Sequence, residues 1–205
     1  MTVRIRTLLA ALLVAGVAAS FAVPGFTEEP EAPAKPDAPA SDPMMEAMIA
    51  QGRPGPEHAW MAFMVGSWNV STKMWMGPGE PVTSTARMES YWIMGRRFVR
   101  SDYVGDLAGR PYRGEATFGF NNPASRYEVS WVDSIGSAIS QSHGKREGDV
   151  VTVKGIDVNP MMGGEIPFRH VYTKKSDDEY VMESYWTMPG MGEMKGMELV
   201  YTRAK

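Results

Sequence analysis

The sequence predicts an all-β fold: a single antiparallel up-and-down β-barrel of about ten strands with a short N-terminal helical cap. After Gly66, apolar and polar residues alternate with a period of two, and turn residues recur about every ten positions. Trp68 begins the first strand-like segment and Arg203 ends the last. In a barrel whose terminal strands pair, the Arg203 guanidinium would lie on the Trp68 indole and plug one end. The main alternative is a two-sheet sandwich, which leaves edge strands exposed.

The N-terminus has the pattern of a secretory signal peptide over residues 1–22. Arg4 and Arg6 precede an apolar stretch from Leu8 to Val17, and small residues follow it. This stretch is shorter than the roughly 20 residues that span a bilayer, so we expect no membrane span after cleavage. The sequence therefore predicts an exported protein, either periplasmic or extracellular.

Composition limits the domain organisation and the partners. Residues 23–43 are rich in Pro, Ala and Glu, which predicts a disordered linker and leaves 44–205 as the barrel domain. The chain has no cysteine, which excludes disulfides and thiolate metal sites. Its 21 basic and 24 acidic residues are interspersed along the sequence, so we expect no basic face. Without such a face, nucleic acid is not a predicted partner.

Two short helices are predicted ahead of the barrel. One covers Met44–Gln51, and another begins at Pro56 and runs to about Met64, with an apolar face that would cap one end of the barrel. Strands are predicted near 67–76, 83–94, 97–105, 111–121, 126–134, 137–146, 149–158, 166–175, 179–188 and 195–203. Short, even turns between them indicate an antiparallel meander.

Alternation along the strands separates inward from outward side chains. The predicted inner face carries aromatic residues together with hydroxyls, an imidazole and a carboxylate, which is more polar than a solid core needs. We therefore predict that the interior binds a small hydrophobic or amphipathic molecule. The predicted ligand-binding residues are Trp92, Tyr127, Trp131, Asp133, Phe168, His170, Tyr172 and Trp186. Two alternatives stay open: the same side chains fill the barrel solidly, or the protein is a structural or interaction module without a ligand.

Several motifs are similar to those of one protein family. They are Gly55-Pro56-Glu57-His58 with Trp60, Val65-Gly66-Ser67-Trp68, Lys73-Met74-Trp75-Met76-Gly77-Pro78-Gly79, Met94-Gly95-Arg96-Arg97-Phe98, Trp131-Val132-Asp133-Ser134 and Tyr201-Thr202-Arg203. After Gly55, nearly all of the chain resembles the bacterial family DUF1579, a domain of unknown function. The resemblance implies a calycin-like barrel, related in shape to lipocalins, fatty-acid-binding proteins and the haem-binding nitrobindins. It implies no established activity, substrate or catalytic residue.

The resemblance also assigns structural roles to three residues. Gly66 and Trp68 resemble the lipocalin Gly-x-Trp signature, and Arg203 resembles the lipocalin arginine at the end of the barrel. By that analogy all three are structural and close the barrel. Fold analogy alone is a weak guide to function.

His170 carries a haem hypothesis that follows from the same resemblance. A haem in a barrel needs one neutral imidazole that projects from an apolar wall, as in nitrobindin-like barrels. Of the three histidines in the chain, His58 lies at a predicted helix start and His143 at a predicted outward position. His170 is therefore the candidate axial ligand, with an ordinary strand histidine as the alternative.

Methionine is unusually frequent, with 17 residues in 205, and it recurs every third position at Met188, Met191, Met194 and Met197. Thioethers are soft ligands that select Cu(I), so these four residues are candidate copper ligands. A period of three places successive residues on opposite faces of a strand, so convergence on one ion would require the loop to fold back. Adaptable packing of the core is the alternative role for methionine.

The sequence contains no recognised catalytic motif. A Gly-x-Ser-x-Gly elbow, a His-Glu-x-x-His pair and a phosphate-binding loop are all missing, so we predict no enzyme activity. One further pattern is the recurrence of Met-Glu-Ser-Tyr-Trp-x-Met at 88–94 and 182–188. The copies fall on the second and ninth predicted strands, which does not fit a duplication of five strands.

Overall fold

The computed structural model describes residues 42–77, 79–107, 109–159, 164–188 and 190–205. The predicted signal peptide over 1–22 and nearly all of the predicted linker over 23–43 lie outside the described residues. Within the described part of the chain, no helix combines the length and the apolar character that crossing a membrane requires.

Short helices precede ten strands in the described chain. The helices are α1 (Pro43–Gln51), α2 (Pro56–Trp60) and a 3-10 helix (Met61–Met64). The strands are β1 (Gly66–Met74), β2 (Val82–Ile93), β3 (Phe98–Leu107), β4 (Arg110–Asn121), β5 (Arg126–Asp133), β6 (Ser140–Glu147), β7 (Val150–Asn159), β8 (Gly164–Lys174), β9 (Glu179–Met188) and β10 (Gly192–Arg203). Asp42 begins α1 by accepting a hydrogen bond from the Met44 amide at 2.9 Å.

The ten strands form one closed antiparallel barrel. Each strand pairs with its neighbours in sequence, and β1 pairs with β10 to complete the ring. In the closing pair, Trp68 lies opposite Arg203 and Met74 lies opposite Met197. In the closed barrel every strand is hydrogen-bonded to a neighbour on both edges, whereas a two-sheet sandwich leaves edge strands unpaired. The predicted barrel is confirmed.

The end of the barrel where β1 begins and β10 ends is closed by α2 and the 3-10 helix, and we call it the capped end. The Trp68 indole nitrogen donates to the Met64 carbonyl at 2.8 Å. The Arg203 guanidinium lies 4.3 Å from the centre of the Trp68 indole and donates to the carbonyls of Phe63 and Val65. The sequence predicts this contact between the first and last strands, and the contact fastens the helical cap to both of them.

Gly66 has a physical reason to precede Trp68 by two residues. Its φ is +126°, a conformation that residues with a side chain rarely adopt. A Cβ atom at this position would also lie 2.6 Å from an Arg203 guanidinium nitrogen. Glycine is therefore required where the arginine folds back over the start of β1.

A charged clamp holds α2 against the barrel wall. Glu57 accepts hydrogen bonds from Arg146 Nε at 2.8 Å and Nη2 at 2.9 Å, and from the Tyr127 hydroxyl at 2.5 Å. The hydrogen bond from Arg146 lowers the pKa of Glu57 below its ordinary value, although burial acts in the opposite direction. Tyr127 therefore belongs to the machinery that attaches the cap.

The interior of the capped half is filled with side chains. Trp68, Tyr127, Tyr180 and Tyr201 are all buried, and the Tyr180 and Tyr201 rings stack with centroids 4.1 Å apart. We call the opposite end of the barrel, where β1 ends and β2 begins, the far end. Within the described residues, no helix lies over it.

Two strand boundaries differ from the prediction by three residues. β6 begins at Ser140 and not at 137, because the Ile135 and Gly136 amides both donate to Asp133 and form a turn there. β10 begins at Gly192 and not at 195, so the β9–β10 hairpin is tighter than predicted. Its register shifts between Lys195 and Met197, which is a β-bulge.

Candidate ligand-binding interior

The inner wall of the far half retains exposed surface, in contrast to the capped half. Val99 and Val151, near the capped end, are completely buried. On β8, the inward Ile166 and Phe168 are also buried toward the far end. Several other inward side chains toward that end are only half-buried. They include Tyr112, Trp131, Asp133, His170, Trp186, Met188 and Met197. Inward side chains that remain partly exposed indicate accessible space inside this half of the barrel.

Large aromatic rings in the far half lie flat against the wall, over glycines of neighbouring strands. At each of these glycines, an added Cβ atom would collide with the aromatic ring. The pairs are Trp131 with Gly114, Trp186 with Gly196, and Phe168 with Gly155. Because a glycine leaves room for a ring on the wall, these side chains do not project into the middle of the barrel. The aromatic rings therefore lie along the wall of this half of the barrel.

An unpartnered polar pair lies halfway along this inner wall. His170 on β8 and Ser184 on β9 are direct partners in the strand register, so their side chains share the inner face. Ser184 is 0% exposed, and its hydroxyl makes no hydrogen bond to any described residue. Buried hydroxyls almost always have a partner, because leaving one unpaired costs about 1–3 kcal/mol. The pair therefore has unused capacity to bind a polar group.

The His170 imidazole is surrounded by apolar and aromatic groups. The Phe168 ring lies 4.6 Å away at 36°, and the Tyr172 ring lies edge-on at 6.4 Å. Burial lowers the pKa of His170 to about 4, so the imidazole is neutral at physiological pH. A neutral imidazole offers one hydrogen-bond donor and one acceptor to a ligand.

The charges inside the barrel are distributed unevenly between the two ends. Within the described chain, three inward-facing cations lie at the capped end. Arg146 pairs with Glu57, Lys174 with Asp177, and Arg203 with Asp178. Toward the far end the inward charges are Asp133 and Asp157, and Arg110 is exposed at the rim. This half of the interior therefore disfavours an anionic ligand.

Asp133 uses its carboxylate for local structure. One oxygen accepts from the Ile135 and Gly136 amides, and the other accepts from the Trp131 indole at 3.1 Å. Burial raises the pKa of Asp133, but these hydrogen bonds outweigh it and hold the pKa below its ordinary value. Asp133 therefore fixes the Trp131 ring on the wall and is not a free anchor for a ligand.

The sequence-predicted ligand residues separate into two groups. Trp131, Asp133, Phe168, His170 and Trp186 come together in the far half, and Tyr172 lies beneath them toward the filled layer. Trp92 and Tyr127 lie at the capped end, where Trp92 faces Val99 and Tyr127 bonds to the cap. The prediction did not resolve depth along the barrel, so it joined residues from opposite ends.

Sequence reasoning missed several contributors to this interior. It placed Ser184 on the inner face but had no signal that the hydroxyl lacks a partner. It also did not use the glycines that receive the aromatic rings, or Tyr112, which stacks on Trp131 with ring centroids 6.5 Å apart. An inward glycine opposite or diagonal to an inward aromatic residue is the signal that would have found the glycines.

Family comparison agrees with this architecture. The model of the family described as Protein of unknown function (DUF1579) matches residues 53–203. The chain belongs to the DUF1579 family. The match covers α2, the 3-10 helix and all ten strands, so the cap and the barrel are both parts of this DUF1579 domain. No protein with a curated description matches the chain.

Solved structures similar to this DUF1579 barrel share its fold at low sequence identity. Rv2717c from M. tuberculosis matches with a TM-score of 0.55 and 13% identity, over 75% of this chain and 100% of that chain. The S-type phycobiliprotein lyase CPES from Guillardia theta matches with a TM-score of 0.51 and 11% identity, over 77% and 97%. At these identities the likeness concerns the fold alone.

Proposed function

We propose that the far half of the barrel binds a small, uncharged apolar molecule that carries one hydrogen-bonding group, such as a hydroxyl or a carbonyl. The observation that carries the proposal is the buried, unpartnered Ser184 hydroxyl beside the neutral His170 imidazole. Ser184 is fully covered in this structure, so a ligand group that bonds to both residues would displace the side chains over the hydroxyl and satisfy it. Trp131, Trp186 and Phe168 supply flat apolar walls around that point.

The charge distribution supports an uncharged ligand. Burying a carboxylate without a cation is very unfavourable, the ion-paired inward cations lie at the capped end, and Arg110 is exposed at the far rim. Asp133 and Asp157 add negative charge near the far rim. The barrel fold itself is consistent with small-molecule binding, and one protein of similar fold is named a phycobiliprotein lyase. The proposal for this chain is binding without chemical conversion.

Displacement of a neutral fluorescent probe, N-phenyl-1-naphthylamine, tests the proposal. Three competitors with the same alkyl chain separate the contributions: 1-dodecanol, dodecane and dodecanoate. We expect 1-dodecanol to displace the probe best and dodecanoate to be at least about tenfold weaker, because its charge has no partner inside. Failure of the protein to bind the probe or any competitor would refute the binding function. Strongest displacement by dodecanoate would refute the uncharged class of ligand.

Haem is a second candidate ligand, and one observation favours it. The His170 imidazole is neutral and makes no hydrogen bond to a described residue, so its nitrogen is available to an axial iron. Haem titration of the purified protein tests this candidate. A Soret band that appears with the wild type and is lost in His170→Gln supports haem, and the absence of a Soret band removes it.

We also propose that the protein acts outside the cytoplasm. The basic and apolar segments within residues 1–22 support this. Mass spectrometry of the N-terminus of the protein expressed in a bacterial host tests it. A mature N-terminus near residue 23 in the periplasmic or extracellular fraction is expected, and an intact Met1 in the cytoplasmic fraction would contradict it.

A further inference from the structure

Four methionines occupy one sector of the inner rim at the far end. Met74 ends β1, Met188 ends β9, and Met194 and Met197 lie on β10 between these two strands. Met74 and Met197 are direct partners across the β1–β10 pair. Directly opposite side chains in an antiparallel pair have Cβ atoms about 4.5–5.5 Å apart. Their two thioethers are therefore within reach of a single ion.

The β-bulge in β10 brings Met194 onto the same face as Met197. Met194 lies opposite Trp186 and Met197 lies opposite Ser184, and both of these β9 residues face inward. The extra residue, Gly196, absorbs the register shift between the two methionines. The sequence period of three, which by itself predicts opposite faces, thus places both side chains inside the rim.

Met188 completes the group from β9, and Met191 does not belong to it. Met188 lies opposite Gly192, so it is the diagonal neighbour of Met194, at a typical distance of about 7–8 Å. Met191 lies in the turn and is 66% exposed. The structure therefore replaces Met191 by Met74 in the set of methionines that the spacing alone predicts.

Met197 packs against the edge of the core, whereas Met74, Met188 and Met194 lie outside it. Met194 is 42% exposed, and Met74, Met188 and Met197 are half-buried at the rim. Long, unbranched thioether side chains adapt readily and can converge on an ion from neighbouring strands. Thioethers are soft, neutral ligands that select Cu(I) over Zn(II) or Mg(II). Within the described residues, no group of three His, Asp or Glu side chains forms a competing hard-metal site.

We propose that Met74, Met194 and Met197 bind one Cu(I) ion at the far rim, with Met188 as a fourth ligand. The site uses thioethers alone, and it adjoins the His170–Ser184 pair because Met197 lies directly opposite Ser184. It goes beyond the proposed binding of an organic molecule, and either can fail without the other. The ion reaches the site from solvent, because Met194 is exposed.

Anaerobic competition with the Cu(I) complex of bicinchoninate tests the site. We expect the wild-type protein to withdraw one equivalent of Cu(I), and Met74→Leu/Met197→Leu to bind at least about tenfold more weakly, since leucine conserves volume but has no sulfur. Met44→Leu/Met45→Leu on the exposed helix α1 is the matched control and keeps the wild-type affinity. No withdrawal by the wild type, or an equal loss in both double variants, would overturn the proposal.

A second measurement does not depend on a variant that folds. In the wild type labelled with ¹³C at the methionine methyl groups, Cu(I) is expected to shift three or four methyl resonances and to leave the others in place. Shifts spread over most methionines, or none, would contradict a defined site. The variants then assign the shifted resonances to the rim.

Discussion

The two copies of Met-Glu-Ser-Tyr-Trp place the same residues at opposite ends of one barrel. The first copy lies at 88–92 on β2, which runs toward the capped end, and the second lies at 182–186 on β9, which runs toward the far end. In both copies Met, Ser and Trp face inward. Trp92 therefore lies by the cap, whereas Trp186 lies near the open rim.

The partner strands give the two copies different chemistry. Ser90 lies opposite Ser101, and their hydroxyls form a hydrogen bond of 2.8 Å. Ser184 lies opposite His170 and has no described partner. Trp92 packs against the buried core, whereas the Trp186 ring lies over a glycine of β10. The same five-residue sequence thus stabilises the capped half in its first copy. In its second copy it leaves a hydroxyl without a described hydrogen-bond partner in the far half.

Truncation of the two tryptophans gives the largest expected difference between the halves. We expect Trp92→Ala to lower the free energy of unfolding by about 3 kcal/mol, because it leaves a cavity in the packed half. Trp186→Ala should cost only about 1 kcal/mol, because its ring borders accessible space. It should instead weaken binding of N-phenyl-1-naphthylamine. Urea denaturation measures both stabilities, and equal losses would contradict the contrast.

The pH dependence of stability sharpens the contrast at His170. The pKa of the folded protein's His170 is about 4, against 6.5 for an ordinary histidine, so the unfolded chain takes up the proton first as the pH falls. Stability is therefore lost between about pH 6.5 and 4. In His170→Gln this loss should shrink by roughly 2 kcal/mol.

The exposed His143 on the outer wall of β6 supplies the control. His143→Gln should retain the acid sensitivity of the wild type, as judged from urea midpoints at pH 7, 5.5 and 4.5. The low pKa of Glu57 also removes stability in acid, but it does so equally in all three proteins and cancels in the comparison. Identical pH profiles for wild type and His170→Gln would contradict the lowered pKa of His170.

Substitution of Ser90 and Ser184 gives the smallest expected effects on the free energy of unfolding, and the two effects differ in sign. Ser90→Ala should lower the free energy of unfolding by about 1 kcal/mol, because Ser101 loses its partner. Ser184→Ala should leave the stability unchanged or slightly raise it, because it removes an unpaired buried hydroxyl. The affinity of Ser184→Ala for 1-dodecanol should fall about fivefold, which corresponds to ~1 kcal/mol. Loss of stability without loss of affinity in Ser184→Ala would contradict the role of the Ser184 hydroxyl in ligand binding.

The sequence was sufficient to predict the architecture. Period-two alternation and regular turns depend only on neighbouring residues, so they identified ten strands and their inward faces. The closing contact between Trp68 and Arg203 was also predictable, because closure of a meander forces its first and last strands together.

Two features were not predictable from the sequence: how far along the barrel axis each residue lies, and which buried polar groups lack a hydrogen-bond partner. Trp92 and Trp186 have the same local sequence, and only strand direction separates them. The partner of Ser184 depends on the register with β8, which lies outside its own strand. The bulge at Gly196, which gathers Met194 and Met197 on one face, shifts the register by one residue and leaves no periodic signal.

Two glycine substitutions on β4 test most directly whether the far half of the barrel is a binding space. Gly114 supports the Trp131 ring on the inner face, and Gly119 supports the Phe98 ring on the outer face, so Gly114→Ala and Gly119→Ala create matched collisions on opposite sides of one strand. The measurement is the affinity for N-phenyl-1-naphthylamine. We predict at least a fivefold loss in Gly114→Ala, because the indole is pushed into the interior, and no change in Gly119→Ala. Equal affinities in the two variants would contradict an open, ligand-binding interior.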